Sequence, residues 1–224
     1  MKLYMHPVST AARPIRLFIA EHGIPCEEEL VDITTGAHHQ EPYASMNPTC
    51  LVPMLEDDGF RLTESSAILK YLADKYNSPA YPKDLKKRAR VNEVMDWLNT
   101  QLYRDFGYGL VYPQLFPHHK RRSDEAQSGC VEWGQSGARR WLQVLNDHWI
   151  GPANRYLAGN ELTIADYFGA GIVSIGEIIG CDFAEYPNVR RWLGNMKQLK
   201  SWDKVNEVFA GFVTMNKGRE FARV

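Results

Sequence analysis

A small α/β domain of order βαβαββα followed by an all-helical domain is the fold this sequence predicts. Three observations predict it. Strand and helix signals alternate through residues 1–77, a polar stretch with two prolines follows, and beyond residue 85 only helical patterns remain. "KLYM" reads as a short strand, and "ARPIRLFIAEHG" as a helix with Ile15, Phe18 and Ile19 on one face and Gly23 as its stop. "CEEELVDI" is a second strand; a Gly- and His-containing loop and a short irregular helix, roughly His39–Met46, come next. "LVPMLEDDGFRLTE" predicts a hairpin turning at Asp58-Gly59, and "SSAILKYLADKY" a helix with Ile68, Leu69, Leu72 and Tyr76 on its inner face. The strand–helix–strand unit requires a parallel crossover, and the hairpin adds antiparallel strands.

Residues 78–84 form the expected linker between an N-terminal domain (1–77) and a helical domain (85–224). The first long helix carries Val91, Val94, Met95, Leu98 and Leu102 on one face. "DEAQSGCVEWGQSGARRWLQVLNDHWI" predicts a second long helix despite three glycines. "LTIADYFGAGIVSIGEIIG" is apolar enough to be the buried central helix of a bundle. "PNVRRWLGNMKQL" and "SWDKVNEVFAGFVTM" complete it. The six tryptophans are expected between helices.

Composition narrows the function classes. The 224 residues carry a net charge of −1, so no global field gathers nucleic acid or anionic lipid, and "HHKRR" reads as a solvated loop. No apolar run approaches the roughly 20 residues that span a bilayer, and the polar N-terminus with Pro7 is unlike a signal peptide, so a cytoplasmic protein is expected. Cys26, Cys50, Cys130 and Cys181 are scattered, form no C-x-x-C pair or zinc spacing, and read as reduced core residues. No metal cofactor is expected.

The chemistry concentrates at two helix mouths. In "MHPVSTAAR" a strand ends in Ser9 and Thr10 just before a helix; in "LTESSAIL" Glu64 and Ser65 stand at the mouth of another. A helix start offers unpartnered N–H groups and the positive end of a dipole. Ser65 can simply cap its helix. Alternatively its hydroxyl and N–H hold a carboxylate while Glu64 takes an ammonium, together recognising a free amino-acid end. Between them Val52-Pro53 predicts a cis corner that leaves the Val52 N–H and C=O free for an extended peptide; a plain strand start is the alternative.

Ser9 at a strand end, "NP-x-x-x-VP" (Asn47–Pro53) and "TES-x-AIL-x-YL" (Thr63–Leu72), in this order, resemble the cytosolic glutathione transferases, and the resemblance extends across the whole chain. "LTIADY" (Leu162–Tyr167) is similar to the family's capping box at the central helix, joining Thr163 to Asp166. The resemblance implies a thioredoxin-like glutathione-binding domain, a helical electrophile-binding domain, and a homodimer. Its partners would be glutathione and a small hydrophobic electrophile, with no nucleic acid and no membrane. "VSTAAR" aligns with the serine-type, theta-like pattern Ser-x-x-x-Arg and with a bacterial source, placing the catalytic serine on Ser9 and the arginine on Arg13; Thr10 is the neighbouring alternative. Glu64 and Ser65 would hold the γ-glutamyl end, Val52 and Pro53 the cysteinyl backbone, and His38 or His39 the glycyl end. Leu51 stands where the theta-like pattern has Lys. Pro7, Val8, Tyr103, Arg104, Tyr108 and Tyr112 would line the electrophile pocket, with Phe209, Phe212 and Met215 closing it. The expected activity is serine-assisted conjugation of glutathione to hydrophobic electrophiles. A glutathione-dependent dehalogenase or peroxidase, or a non-catalytic ligand-binding or partner-docking protein of the same fold, is the alternative.

Overall fold

A computed structural model describes residues 1–224. Strands β1 (Lys2–Met5), β2 (Glu27–Leu30), β3 (Met54–Asp57) and β4 (Phe60–Leu62) form one sheet in the order β2-β1-β3-β4. β1 and β2 run parallel, joined by helix α1 (Ala12–His22); β1–β3 and β3–β4 are antiparallel. A 3₁₀ turn (Ala37–His39) and helix α2 (Tyr43–Met46) follow β2, and α3 (Ser65–Lys75) follows the hairpin. This is the α/β thioredoxin-like domain with a four-stranded sheet, and the rest of the chain is helical. Ile15, Phe18 and Ile19 of α1 meet Ile68, Leu69 and Leu72 of α3 within one continuous core. Tyr76 is exposed, because α3 ends at Lys75 and leaves it beyond the last turn.

Helix α4 (Leu85–Trp97) buries Val91, Val94 and Met95 and continues without a break through a wide, π-type segment, Leu98–Val111, into α5 (Tyr112–Leu115). Helix α6 (Asp124–Val144) packs along that segment, followed by α7 (Ile164–Ser174), α8 (Pro187–Lys197) and α9 (Trp202–Met215). Every residue of α7 is buried, as its composition predicts. Asp166 anchors its start, accepting from the Leu157 N–H (2.8 Å), the Thr163 N–H (2.8 Å) and hydroxyl (2.9 Å), and the Trp192 indole (2.9 Å).

Two expectations are corrected here. Only Cys181 is buried, while Cys26, Cys50 and Cys130 are half-exposed. Trp133 is 57 % exposed, with the Arg104 guanidinium over its ring. Phe106, one of the aromatics on the first long helix, points into the core against Phe183 rather than toward a ligand.

Two of the three glycines of α6, Gly134 and Gly137, are contact points. A Cβ on Gly134 would lie only 2.7 Å from the Gly109 Cα, so α6 and the π-type segment touch backbone to backbone. Gly134→Ala is expected to destabilise the fold by about 3 kcal/mol, since backbone cannot rotate away as a side chain can. Gly129 is the control, because a Cβ added there would meet nothing within 4 Å; its alanine variant should gain up to about 1 kcal/mol. Urea unfolding of both variants reads the difference.

Candidate functional site

Helices α1 and α3 both start at the rim of one cleft of about 1460 Å³ that runs between the α/β domain and the helical domain. Ser9 and Thr10 line one wall; Val52, Pro53, Glu64 and Ser65 line the next. The Ser9 hydroxyl accepts from the Ala12 N–H, the first of α1, at 3.2 Å, which leaves the hydroxyl proton free to donate. The loop before it is ordered by His6, whose Nδ1 accepts from the Val8 N–H at 3.3 Å.

Ser65 does not cap α3. Glu64 occupies the N-cap position at φ 64°, and Ser65 is the first helical residue, 8 % exposed, with no side-chain hydrogen bond at the cap. Its hydroxyl, the first-turn N–H groups and the helix dipole therefore all face the cleft together. The positive φ of Glu64, uncommon for a residue with a Cβ, turns the chain sharply at this point.

Asn47 explains how the Val52 peptide is presented. Its amide donates to the Leu51 carbonyl at 2.7 Å, and its Oδ1 accepts from the Thr49 N–H (3.2 Å) and hydroxyl (2.8 Å). Tyr43 donates to the same Leu51 carbonyl at 2.5 Å. With that carbonyl tied down and Val52-Pro53 cis, the Val52 N–H and C=O make no hydrogen bond within the chain. They are open to an extended peptide, in the manner of an added β-strand. The Leu51 side chain is 60 % exposed at the same edge.

His38 and His39 both reach the cleft with their rings 4.0 Å apart, and burial lowers the His38 pKa, so it is a neutral donor near pH 7. Val8 lines the cleft from the α/β side and Tyr103, Arg104, Tyr108 and Tyr112 from the helical side, together with Phe212 and Met215 of α9. Arg104 is also paired with Asp105. Pro7 does not line the cleft.

Three further expectations fail. Arg13 is turned away from the cleft and is only 2 % exposed. Its guanidinium donates to Asn206 (2.9 Å), Ser174 (3.1 Å) and the Gly171 carbonyl (2.9 Å), and lies 3.7 Å over the Phe209 ring. Burial lowers its pKa to about 10, still well above neutral, so it is a buried cation clamping α1 to α7 and α9. Phe209 is correspondingly a floor for Arg13 and does not close the cleft. The solvated reading of "HHKRR" also holds only for its end: Arg121 and Arg122 are exposed, while His118 and His119 line the cleft, His119 against Tyr108 and Tyr112. Its Pro-His-His turn, directly after an aromatic stripe, was the available signal.

The family models for the glutathione S-transferase N-terminal domain and C-terminal domain match residues 1–74 and 117–200. Human glutathione S-transferase theta-2B is 32 % identical over 200 residues, covering 88 % of this chain and 80 % of that protein. The chain belongs to the glutathione S-transferase family. A structure of human glutathione transferase theta-2, in complex with glutathione and an unknown ligand, superposes with TM-score 0.84 at 28 % identity, over 99 % of this chain and 92 % of that one. A delta-class glutathione transferase from Nilaparvata lugens gives TM-score 0.78 at 31 % identity, over 96 % and 98 %. The chain is thus a glutathione transferase of theta type, with the family's two-part fold. No helix is long and apolar enough to cross a membrane, and no group of three His, Cys, Asp or Glu side chains converges as a metal site.

Proposed function

We propose that this transferase binds glutathione along the Ser65–Val52–Ser9 wall and uses Ser9 to hold its sulfur as thiolate. The observation that carries this reading is the convergence on one cleft of two helix mouths with an unpaired peptide between them. Ser65 and its N–H take the γ-glutamyl carboxylate, Glu64 the ammonium, and the Val52 N–H and C=O the cysteinyl backbone, with Pro53 setting the corner. That spacing directs the thiol to the mouth of α1. His38, neutral and buried at Nδ1 without a partner, donates to the glycyl end, with His39 tilted against it. Leu51 supplies no cation there, so the glycyl carboxylate is held by neutral donors alone.

The electrophile then sits between Val8 and the tyrosine wall, with Arg104 at its outer edge. Holding it against the sulfur supplies acceleration beyond thiolate population. We assign the enzyme to the cytoplasm as a homodimer, with residues 1–77 binding glutathione, 78–84 linking, and 85–224 binding the electrophile.

Glutathione-dependent conjugation of 1-chloro-2,4-dinitrobenzene or 4-nitrobenzyl chloride tests this reading, and absence of turnover across a broad electrophile panel would overturn it. Ser65→Ala is expected to raise KM for glutathione about tenfold, the worth of one hydrogen bond to a charged group, with the loss lying mainly in KM.

A further inference from the structure

We propose that His6 is a positioning residue of the active site: its neutral imidazole closes the turn that aims the Ser9 hydroxyl, and protonation of the ring releases that turn. The inference rests on the Ser9 reading above and adds its regulation by acid.

Residues His6–Ser9 make one tight turn between β1 and α1, with Pro7 in its second position. Proline presets the backbone for such a turn but has no N–H with which to hold it. His6 holds it twice. Its carbonyl accepts from the Ser9 N–H at 3.0 Å, and its ring Nδ1 accepts from the Val8 N–H at 3.3 Å. A side-chain acceptor that reaches the N–H two residues on is what Asn and Asp supply in an Asx-turn; here an imidazole supplies it. Ser9 closes the turn, and its hydroxyl oxygen accepts from the Ala12 N–H, so turn and helix start fix it from both sides.

Only one protonation state fits. A ring nitrogen that accepts carries no proton, so neutral His6 holds its proton on Nε2. Nε2 lies 3.8 Å from Asp32 Oδ1, too far for a hydrogen bond. That oxygen already accepts from the Thr34 N–H (2.9 Å) and hydroxyl (2.6 Å). A second proton would sit on Nδ1 and meet the Val8 N–H, donor against donor.

The charged groups that face the ring are Asp32, from the segment after β2, and Arg16 of α1, itself paired with Glu28 at 2.8 Å. Burial above all, with Arg16, opposes the imidazolium; Asp32 favours it, and the balance holds the His6 pKa below its ordinary value. The ordered turn therefore takes up a proton less readily than a free ring. Its ordering is complete above about pH 6.5 and is lost as the pH falls through the lowered value. Once the turn is released the Ser9 hydroxyl no longer holds the sulfur, and the bound thiol regains its proton at a higher pH. Acid acts twice, on the thiolate directly and through His6.

The test follows kcat/KM for 1-chloro-2,4-dinitrobenzene at saturating glutathione between about pH 5 and 8, with the bound thiolate read by its ultraviolet absorbance. His6→Leu removes the acceptor. It is expected to move the thiol titration upward and to lower kcat/KM near pH 6.5 by up to about tenfold. His6→Asn, whose Oδ1 can take the Val8 N–H, is expected to restore both. With no ring to protonate, it should lose activity in acid with a slope of about one proton, whereas the unaltered protein falls more steeply. Equal slopes in these two proteins, or a thiol titration unmoved in His6→Leu, overturn the inference. If His6→Leu does not fold, the slopes decide alone. Hydrogen exchange of the ligand-free protein, read by NMR, separates this inference from the glutathione reading. Protection of the Val8 and Ser9 amides should fall as the His6 ring takes up its proton, and protection that stays constant overturns the inference whatever the activity. Failure of the unaltered protein to turn over any electrophile overturns the glutathione reading instead, while the amides still decide the turn.

Discussion

Ser9→Ala is expected to reduce conjugation about tenfold to fiftyfold near pH 6.5 and by less than about twofold near pH 9. The sign follows from which form the hydroxyl favours. A hydrogen bond donated to a thiolate stabilises the charged form by about 1.5–3 kcal/mol, lowering a thiol pKa from about 8.5 by about 1–2 units. Without the donor the thiol returns to its ordinary value, so the loss is greatest below that value and fades above it. Ser9 is suited to this role because its oxygen already accepts the Ala12 N–H and only its proton is free. The pH dependence of kcat/KM in both proteins decides the matter. A loss that is the same at every pH would mean that Ser9 positions the sulfur without ionising it, and no loss would remove it from the chemistry.

Asp166→Ala should be the most damaging single change to stability, costing about 4 kcal/mol or more and lowering Tm by about 8–16 °C. Four donors converge on this carboxylate, and all belong to buried residues: Thr163 at the start of α7, Leu157 through its backbone, and the Trp192 ring. Truncation leaves each donor unpaired. The consequence reaches the active site, because α7 lies directly under the start of α1. A Cβ on Gly171 of α7 would fall 2.5 Å from the Pro14 ring and 3.0 Å from the Thr10 carbonyl, so only glycine lets the two helices approach this closely. Chemical denaturation measures the loss; a cost below about 1 kcal/mol would mean that water replaces the carboxylate. Asp166→Asn should fall between the two, since the amide keeps one acceptor oxygen but turns an NH₂ toward donors.

Much of the site is legible because it is built from local signals. A hydroxyl before an apolar helical run marks a helix mouth wherever the chain goes next, so Ser9 and Ser65 can be picked out as chemistry before their separation in space is known. Val52-Pro53 in front of a hairpin likewise marks a corner with a free peptide. Asn47 is visible only as part of a motif; its hydrogen bonds to Leu51 and Thr49 are what give that motif its shape. Arg13 is the counterexample. Its spacing from Ser9 suggests a shared site, but the α1 face it occupies is the one packed against α7 and α9. A cation there is stable only because acceptors at residues 171, 174 and 206 surround it. Nothing near position 13 announces them.

Hydrophobic periodicity, turn chemistry and helix-start residues are short-range properties, and they were enough to establish the order of strands and helices, the buried α7 and the two hydroxyl-bearing mouths. Which side chains face one another across the domain boundary is a long-range property. Thr10 with Tyr112 and Arg13 with Asn206 become neighbours only when the helical bundle docks on the sheet domain, and Gly109 with Gly134 only when the bundle itself packs. Packing then sets whether a group such as Arg13 is buried structure or a group such as Ser9 faces the cleft, because burial and partners, not residue type, decide where a proton or a charge is stable.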